Sequence, residues 1–529
     1  MPKVQHTRSE DRSTVVPYGG WPSPIGPASV TSAQVKLGQI VATDGALLML
    51  EGRPDDGGRV TLLSLDPERP ETVAELTAAP INVRTRLHEY GGACLTAAGD
   101  TIVLVDDRDG RLHRLAPDGS LQSISPACSG TLRFAEPLID QRRSRVVATL
   151  EDHTGPGEPE SRLVALPLAG GPPVTLAQGH DFFAYPRLSP DGSKLAWLFW
   201  DHPDMPWDAT RLMLAELGPD GLPMHPRCVA GDERTAILQP EFLADGRLAW
   251  LSDQTGFWNL WIEGGEAPAC SIDAEMGGPL WQVGSRWWAP IDAARALTTL
   301  GRGGIQQLAL LDIEAGSIEP LELDYCAFDE LQVRGATAYC RAAAVDRPAA
   351  IIAVDLDSGA QRTLRTAGPV AVPPEWIARP AAISFPSRDG RTAHGFHYPP
   401  TNPDCRAPAG DLPPLIVRSH GGPTGAASPA LRLAYQFWTS RGFAIVDVDY
   451  AGSSGFGRAY RQSLDGQWGI ADVEDCIAAA EHLVAQGLAD PARLVISGGS
   501  AGGFTTLAAL TFHDTFKAGA SAYGIGDLE

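Results

Sequence analysis

The stretch with the clearest capacity for chemistry is a serine set among glycines, Gly498-Gly499-Ser500-Ala501-Gly502-Gly503. An apolar, β-branched run precedes it directly, and a helix-forming segment follows it directly. This order of strand, G-x-S-x-G and helix is the nucleophile elbow, in which a strained turn lifts a serine hydroxyl over the end of a sheet. The alternative is a glycine-rich turn with an incidental serine. The additional Gly503 and the flanking elements favour Ser500 as a nucleophile.

Acyl transfer through a serine also requires hydrogen-bond donors for the oxyanion that forms during attack. The backbone N–H of Ala501, directly after the serine, is one expected donor. The second is expected from a glycine-rich loop after an early strand, where His420-Gly421-Gly422-Pro423 stands, so the N–H of Gly422 is the candidate. The loop could also be no more than a tight turn. His420 precedes the nucleophile, and we interpret it as a structural hydrogen-bonding residue rather than the catalytic base.

The base and the acid of a catalytic triad are not evident. Hydrolases with this elbow place the triad in the order Ser, then Asp or Glu, then His, and the downstream candidates are His513, Asp514 and Asp527. The first two fall at the end of the predicted helix that starts at the nucleophile, and Asp527 precedes the usual position of the acid. We therefore expect the triad acid and base to lie beyond residue 529. The hydrolase domain is then incomplete at its C-terminus, and this chain alone is expected to be inactive.

Residues 374–529 are predicted to form an α/β-hydrolase domain, because strands and helices alternate there. The predicted strands are residues 415–417, 443–448, 494–496 and 516–523, and residues 473–484 carry apolar positions at helical spacing. Several prolines between residues 369 and 380 mark the boundary before this domain. Residues 1–30, polar and rich in proline, form a separate N-terminal segment in which Tyr18 and Trp21 could act as anchors.

Residues 31–373 contain a loose repeat of short β-like runs separated by Gly, Pro and Asp turns. Equivalent apolar residues in seven runs lie 52, 51, 49, 48, 48 and 43 residues apart; they are Val60, Leu112, Leu163, Leu212, Leu260, Leu308 and Ile351. A four-stranded unit that recurs every roughly 40–50 residues is typical of a propeller blade. The sequence therefore predicts a seven-bladed β-propeller. A pair of β-sandwiches is the alternative.

Within the predicted propeller, His88-Glu89-Tyr90-Gly91-Gly92 is the least generic stretch. Glu89 could reach into the central channel and bind the free amino group of a substrate. The alternative is a strand-end glutamate that accepts a hydrogen bond from a nearby backbone donor. No group of residues has the spacing of a metal site, and the glycine-rich residues 452–457 lack a P-loop lysine, so we expect no metal and no other cofactor.

Charge, cysteines and hydropathy restrict the class of protein further. The net charge of −22 argues against nucleic acid or an anionic membrane as a partner. The eight cysteines lie far apart without a C-x-x-C pair, which indicates free thiols in a reducing compartment. Neither a signal peptide at Met1 to His6 nor a run of apolar residues long enough to span a membrane is present, so a cytoplasmic enzyme is expected. The sequence does not indicate an oligomeric state.

Together these motifs resemble the prolyl oligopeptidase family of serine peptidases, in particular its acylaminoacyl-peptidase and dipeptidyl-aminopeptidase-like branch. The similarity rests on residues 420–423, 450–457, 468–469 and 498–503, and it extends upstream through residues 88–92 and 201–207. The resemblance implies a seven-bladed propeller that covers an α/β-hydrolase site, admits short peptides and lets Ser500 form an acyl-enzyme. The alternatives are a carboxylesterase or acyl hydrolase of the same fold, and an inactive propeller that serves as an interaction module.

Overall fold

The computed structural model describes residues 13–31, 34–128, 130–369 and 372–527. The first residues of the chain, on which the expectation about a signal peptide rests, lie outside these ranges. By its internal contacts the chain divides into two units. The propeller unit comprises the described residues of Ala33–Pro369 and Ser454–Ala459, and the hydrolase unit comprises those of Met1–Ser32, Val370–Ser453 and Tyr460–Glu529. The predicted domain boundaries after residues 30 and 373 stay predictions.

Seven antiparallel sheets follow one another along the propeller unit, and the seven-bladed β-propeller is confirmed. The repeat markers from Val60 to Ile351 all lie on the third strand of their blades. Six blades have four strands. The fifth has three among the described residues, so the prediction of four strands is wrong there. Glycines at 264 and 265 and a proline at 268 follow its third strand, and these residues disfavour a further strand.

The blades are numbered 1 to 7 along the chain, and their strands are given in chain order. They are Lys36–Ala42, Leu47–Arg53, Arg59–Asp66 and Arg69–Glu75 in blade 1; Leu95–Ala98, Thr101–Asp106, Arg111–Leu115 and Leu121–Ser123 in blade 2; Leu132–Asp140, Arg145–Asp152, Glu160–Pro167 and Val174–Ala177 in blade 3; Phe182–Leu188, Lys194–Trp200, Arg211–Leu217 and Pro223–Ala230 in blade 4. They are Ile237–Phe242, Leu248–Ser252 and Asn259–Ile262 in blade 5; Trp288–Pro290, Arg295–Arg302, Ile305–Asp312 and Ser317–Pro320 in blade 6; Ala327–Arg334, Thr337–Ala343, Ala350–Asp355 and Gln361–Thr366 in blade 7.

The first strands of the blades form a closed ring. Each contacts the first strand of the next blade, and the first strand of blade 7 contacts that of blade 1. Two ion pairs connect the fourth strand of blade 7 to blade 1 at this closing joint, Arg362 with Glu68 at 2.7 Å and Arg365 with Glu51 at 2.6 Å. Apolar side chains fill the spaces between the sheets, and Trp258, interpreted from the sequence as a packing residue, is fully buried among them.

A β-bulge interrupts the first strand in five blades, namely blades 1, 3, 4, 5 and 7. In blades 3, 4, 5 and 7 the first bulge residue has a positive φ, and these residues are Glu136, Tyr185, Gln239 and Glu330. The bulge residues also join neighbouring blades. Glu136 of blade 3 accepts the N–H of Tyr185 in blade 4 at 2.8 Å, and Glu330 of blade 7 lies close to the backbone of Ile40 in blade 1.

The six residues Ser454–Ala459 belong to the propeller unit although they follow much of the hydrolase unit in the chain. The N–H of Gly457 donates to Glu275 Oε1 at 3.0 Å. Arg458 pairs through its guanidinium with Asp253, Nε to Oδ2 at 2.9 Å. Because the Asp253 side chain is only 1% exposed, this ion pair is largely shielded from solvent.

The hydrolase unit is built on one mixed sheet. Its strands and helices are β1 (Thr14–Val15), α1 (Pro27–Thr31), β2 (Ala381–Pro386), β3 (Thr392–Tyr398), β4 (Cys405–Arg406), β5 (Leu415–Ser419), α2 (Leu433–Thr439), β6 (Ala444–Asp449), α3 (Arg458–Gln462), α4 (Ala471–Ala485), β7 (Leu494–Gly499), α5 (Ala501–Phe512) and β8 (Ala518–Ala522). The strand order is β2-β3-β6-β5-β7-β8, parallel from β6 to β8 and antiparallel at β2 and β3. The strands and the helix predicted from the sequence are all present.

The N-terminal segment packs within the hydrolase unit. Its strand β1 pairs in parallel with β4. Trp21 is buried, and its Nε1 donates to the carbonyl of Val16 at 2.8 Å. The N–H of Gly19 donates to the carbonyl of Arg441 at 2.9 Å. The two aromatic residues singled out in the sequence, Tyr18 and Trp21, lie against each other with their ring centroids 5.1 Å apart.

All eight cysteines are free thiols, and five of them are buried. Burial raises the pKa of Cys94 to about 12 and that of Cys326 to about 11. These two thiols are therefore held in the protonated, unreactive form. Within the ranges that the structure describes, no helix is both long enough and apolar enough to cross a membrane.

Candidate active site

Ser500 lies in a strained turn between β7 and α5. Its φ of 53° and ψ of −123° are rare for a residue other than glycine. A Cβ atom on Gly498 would lie 2.2 Å from the carbonyl oxygen of Gly502, and one on Gly502 would lie 2.2 Å from that of Ser419. Glycine at both positions therefore permits the close approach of β7, α5 and the end of β5, which is the geometry of a nucleophile elbow.

The backbone N–H and carbonyl of Ser500 both form hydrogen bonds, whereas its hydroxyl does not. Its N–H donates to the carbonyl of Ala522 at 3.1 Å, and its carbonyl accepts the N–H of Gly503 at 2.9 Å. The Oγ atom makes no hydrogen bond to any residue of the described ranges, and neither does the N–H of Gly422 or of Ala501. A hydroxyl and two backbone donors are thus available to a ligand.

The glycine loop that was predicted to supply the second donor lies beside the nucleophile. A Cβ atom on Gly421 would lie 3.5 Å from the Cβ of Ser500 and 3.3 Å from the carbonyl oxygen of Gly499. Gly422 has a φ of +132°, and a Cβ there would lie 2.6 Å from the nitrogen of Thr424. The loop conformation therefore requires glycine at 422. The assignment of Gly422 and Ala501 as oxyanion donors stays a prediction.

His420 lies in this loop, and both nitrogens of its ring have a close neighbour. One ring nitrogen lies 2.8 Å from Ser453 Oγ and the other lies 2.9 Å from the carbonyl oxygen of Gly421. The ring stacks on Tyr450 with centroids 4.3 Å apart, and the hydroxyl of Tyr450 donates to the carbonyl of His420 at 2.7 Å. Burial lowers the pKa of His420. Because both nitrogens have other neighbours, these contacts favour the structural role.

No described histidine of the hydrolase unit contacts Ser500. His513 directly follows α5, about 18 Å along the helix axis from the elbow at 1.5 Å per residue. The remaining histidines bond elsewhere or are buried: His394 lies against Ser384, and His482 against Gln486. Among the described residues of the hydrolase unit, no imidazole therefore lies where it could take the proton of Ser500.

Residues 88–93 of the propeller unit form a strap across the ring, which we call the axial strap. The N–H of Ala93 donates to the carbonyl of Val283 at 2.8 Å, and the N–H of Val283 donates to the carbonyl of Gly91 at 3.2 Å. Val283 precedes blade 6 and Ala93 precedes blade 2, and these blades are not neighbours in a seven-membered ring. The strap therefore crosses the channel. A Cβ on Gly92 would lie 2.1 Å from the carbonyl oxygen of Val283, so this crossing requires glycine.

Glu89 lies on the exposed side of the axial strap. Its side chain is 72% exposed and pairs with Arg133 at 2.5 Å. The hydrogen bond from Arg133 lowers the pKa of Glu89. The partner is thus a side-chain cation, not the backbone donor that the alternative interpretation proposed. The neighbouring His88 is buried against Phe182, and burial lowers its pKa to about 4.

One group of possible metal ligands was not visible in the sequence. Asp106, Asp109 and His113 of blade 2 place one ligand atom each within 4.8 Å of one another. Arg108 pairs with Asp106, and His113 contacts Asp109 at 3.1 Å. All three residues thus have side-chain neighbours already, and we interpret the group as a hydrogen-bonded network at the end of the strand. Only the fold brings it together, because the turn between two strands folds the chain back on itself.

A G-x-S-x-G elbow on a parallel strand, in a chain that also carries a seven-bladed propeller, defines an α/β-hydrolase with a propeller domain. The sequence pattern of the prolyl oligopeptidase family matches residues 429–529. A solved structure of puromycin hydrolase is 36% identical, with a TM-score of 0.92, and the match covers 97% of this chain and 81% of that one. A puromycin-hydrolysing peptidase of Mycobacterium tuberculosis is 38% identical with a TM-score of 0.91 and the same coverage. The chain belongs to the prolyl oligopeptidase family.

Curated relatives match over shorter segments. Dipeptidyl aminopeptidase BIII of Pseudoxanthomonas mexicana is 32% identical over 158 residues, which are 29% of this chain and 22% of the relative. The acylamino-acid-releasing enzyme of Arabidopsis thaliana is 39% identical over 97 residues, which are 18% of this chain and 13% of the relative. The matched segments thus span less than a quarter of these curated relatives.

Proposed function

We propose that the protein is a serine peptidase that hydrolyses short peptides through an acyl-enzyme on Ser500. The observation that carries the proposal is the strained backbone of Ser500, which presents a hydroxyl without a partner next to two unoccupied backbone donors. Strain of this kind is retained where function uses it. The donors are the N–H groups of Ala501 and Gly422, and loss of one such donor typically costs about 3–4 kcal/mol of transition-state stabilisation.

The relatives support the peptidase assignment. The similar proteins are named puromycin hydrolase, dipeptidyl aminopeptidase and acylamino-acid-releasing enzyme, and a mutant of the puromycin hydrolase has been solved in complex with PGG. Because one of these names is that of an aminopeptidase, a substrate with a free amino terminus is proposed, with Glu89 as one acceptor. Displacing Arg133 from Glu89 is inexpensive, because exposed ion pairs contribute only about 0–1 kcal/mol.

We further propose that Ser500 reacts slowly in this chain, because no described histidine lies within reach of its hydroxyl. A serine without a base is a weak nucleophile. The oxyanion donors and the binding site remain, and in triad enzymes these alone support rates about 10³–10⁴ times that in water. The expected state is a correctly built elbow with low intrinsic reactivity. A location in the cytoplasm stays a prediction from the sequence.

Labelling with a fluorophosphonate probe tests the nucleophile. We expect slow labelling of the 529-residue chain, acceleration by added imidazole, which supplies a base in solution, and no labelling of Ser500→Ala. Ser193→Ala, which removes a hydroxyl on the propeller, is the control and should label like the parent. Equal labelling of Ser500→Ala would refute the nucleophile. Fast labelling that imidazole does not change would show that a base is already present.

Comparison of amide and ester substrates tests the reaction class. A peptidase should release p-nitroaniline from alanyl-p-nitroanilide in a Ser500-dependent manner, in addition to cleaving p-nitrophenyl acetate. Ester cleavage with no Ser500-dependent amide cleavage, even with imidazole present, would favour the carboxylesterase alternative. Absence of both activities in the parent chain, even with imidazole present, would favour the inert interaction module.

A further inference from the structure

The propeller unit contains a cavity of about 560 Å³, a volume within the range of small-molecule sites. Its walls are formed by the first three strands of blade 1, by residues 83–85 that lead to blade 2, by the axial strap with residues 282–285, and by Glu330 with Arg341 of blade 7. The cavity therefore lies against blade 1, with residues of blade 7 and of the connection to blade 2 in its walls, and the hydrogen-bonded strap forms a further wall. We call it the joint cavity.

Glu330 brings a carboxylate oxygen without a partner to the wall of the joint cavity. Its Oε2 is buried and makes no hydrogen bond to any residue of the described ranges. Arg341 is committed elsewhere, because it donates to both carboxylate oxygens of Asp329 and to the carbonyl of Leu37. Burial raises the pKa of Glu330 to about 7. A carboxylate that is removed from water without a partner raises the free energy of the folded protein, and a bound partner would offset this cost.

The other blades show that this position does not require a carboxylate for structure. Gln239 occupies the equivalent bulge in blade 5, where its Oε1 accepts the N–H groups of Trp287 and Trp288 and its Nε2 donates to the carbonyl of Trp288. Both ends of a glutamine amide are thus used at a blade joint. Glu136 in blade 3 also leaves one oxygen without a partner, but it does not line the joint cavity. Comparison of Glu136 with Glu330 therefore distinguishes the effect of a buried carboxyl group from the effect of its position at the cavity.

The rim of the joint cavity carries positive charge. Lys36 and Arg84 both line it and are exposed, and neither side chain forms an ion pair within the part of the chain that the structure describes. Acidic residues outnumber basic ones by 64 to 42 in this chain, so most cations have a partner within reach. Two unpaired cations at one cavity offer a site for a carboxylate. The buried Glu330 offers a site for an ammonium group.

We infer that the joint cavity binds a small zwitterion, a free amino acid or a dipeptide, with its ammonium group on Glu330 and its carboxylate on Lys36 and Arg84. The ring of Tyr90 is 61% exposed and borders the same cavity, so it provides an aromatic surface for an apolar side chain. All of these residues belong to the propeller unit. The inference therefore does not depend on the chemistry of Ser500 and goes beyond the proposed peptidase reaction.

Isothermal titration calorimetry tests the inference with L-alanine and L-alanyl-L-alanine as separate probes. The chain used carries Ser500→Ala so that no turnover occurs. We expect one of the probes to bind, and we expect its N-acetylated form and its C-terminal amide each to bind at least about tenfold more weakly. The comparison of the two probes shows whether the ligand is an amino acid or a dipeptide.

Glu330→Gln is the decisive variant, because Gln239 shows that glutamine fits this bulge. It should weaken binding at least about tenfold, while its thermal transition stays at or above that of the parent. Glu136→Gln, the matched control, should leave the affinity unchanged. The double variant Lys36→Ala with Arg84→Ala should weaken binding of the zwitterion but not of its amide.

Three results would overturn the inference. One is the absence of binding of both probes at about 10 mM. Another is an affinity that Glu330→Gln leaves unchanged, or that N-acetylation leaves unchanged. The third is a loss of binding in Glu89→Gln but not in Glu330→Gln, which would place the ammonium group on the exposed face of the axial strap instead.

Discussion

Glu136→Gln should make the stability of the protein less dependent on pH. Glu136 is 4% exposed, and burial raises its pKa to about 7. The charged and titratable groups that face it are Arg187, Glu241, Arg286 and Tyr185. The carboxyl group binds its proton more tightly in the folded than in the unfolded chain. The contribution of this group to folding stability is therefore fully present below about pH 4.5 and is lost as the pH rises through about 7.

The magnitude follows from the two pKa values. A shift from 4.5 to about 7 corresponds to about 3 kcal/mol over the full titration, and to about 2.5 kcal/mol between pH 5 and pH 8. At about 2.1 cal/mol/K of unfolding entropy per residue, the propeller unit of about 340 residues shifts its melting temperature by roughly 1.4 °C per kcal/mol. The melting temperature of Glu136→Gln relative to that of the parent should thus rise by about 3.5 °C from pH 5 to pH 8.

Differential scanning calorimetry of both chains from pH 5 to pH 8 checks this prediction. Glu319→Gln removes an exposed carboxylate from blade 6, and it should follow the parent at every pH. A difference between Glu136→Gln and the parent that stays constant or shrinks with rising pH would refute the reasoning. It would show that Glu136 is ionised in the fold despite its burial.

Two further predictions follow from the packing. Gly498→Ala places a Cβ 2.2 Å from the carbonyl oxygen of Gly502, so it should lower the melting temperature and abolish fluorophosphonate labelling. Gly26→Ala is the control, because a Cβ there meets nothing within 4 Å, and it should change neither property. Labelling of Gly498→Ala would contradict the elbow geometry. Arg458→Ala removes the cation from the buried carboxylate of Asp253 and should destabilise the propeller unit by about 3 kcal/mol in urea unfolding. Arg295→Ala breaks an exposed pair and should cost less than about 1 kcal/mol; equal losses would contradict the role of burial.

The elements around the elbow could be predicted because local sequence determines them. The predicted strand at residues 443–448 corresponds to β6 (Ala444–Asp449), and the predicted helix at residues 473–484 corresponds to α4 (Ala471–Ala485). An apolar run for a buried strand and a 3.6-residue period for a helix are both visible within a few residues. The glycines of the elbow were recognised for the same reason, since their spacing follows from one turn.

The blades could be counted from the sequence, but their joints could not. The repeat markers lie on the third strand of each blade, so the period located the sheets correctly. The missing fourth strand of blade 5 depends on pairing that a repeat does not specify. The bulge at Glu330 is equally invisible in the sequence, because its neighbour Ile40 lies almost the whole length of the propeller away. Such contacts form only when the ring closes, so a local stretch of sequence does not reveal them.

The partner of Glu89 was missed for a similar reason. The sequence suggested either a substrate or a local backbone group, and the structure gives Arg133, 44 residues later in blade 3. The axial strap was also not foreseen, although its two glycines were noted. A glycine pair indicates close approach of two backbones, but it does not say which backbone approaches.

The six residues Ser454–Ala459 have a consequence for the order in which the protein is made. Blade 7 ends at Thr366, and Arg458, which pairs with Asp253 of blade 5, follows 92 residues later. A ribosome therefore completes all seven blades, and then strands β2 to β6 of the hydrolase unit, before it adds this residue. Domains usually fold in sequence as they emerge. Here the earlier unit receives its last ion pair from a later part of the chain, so its final stability should be reached only when synthesis of the second unit is well advanced.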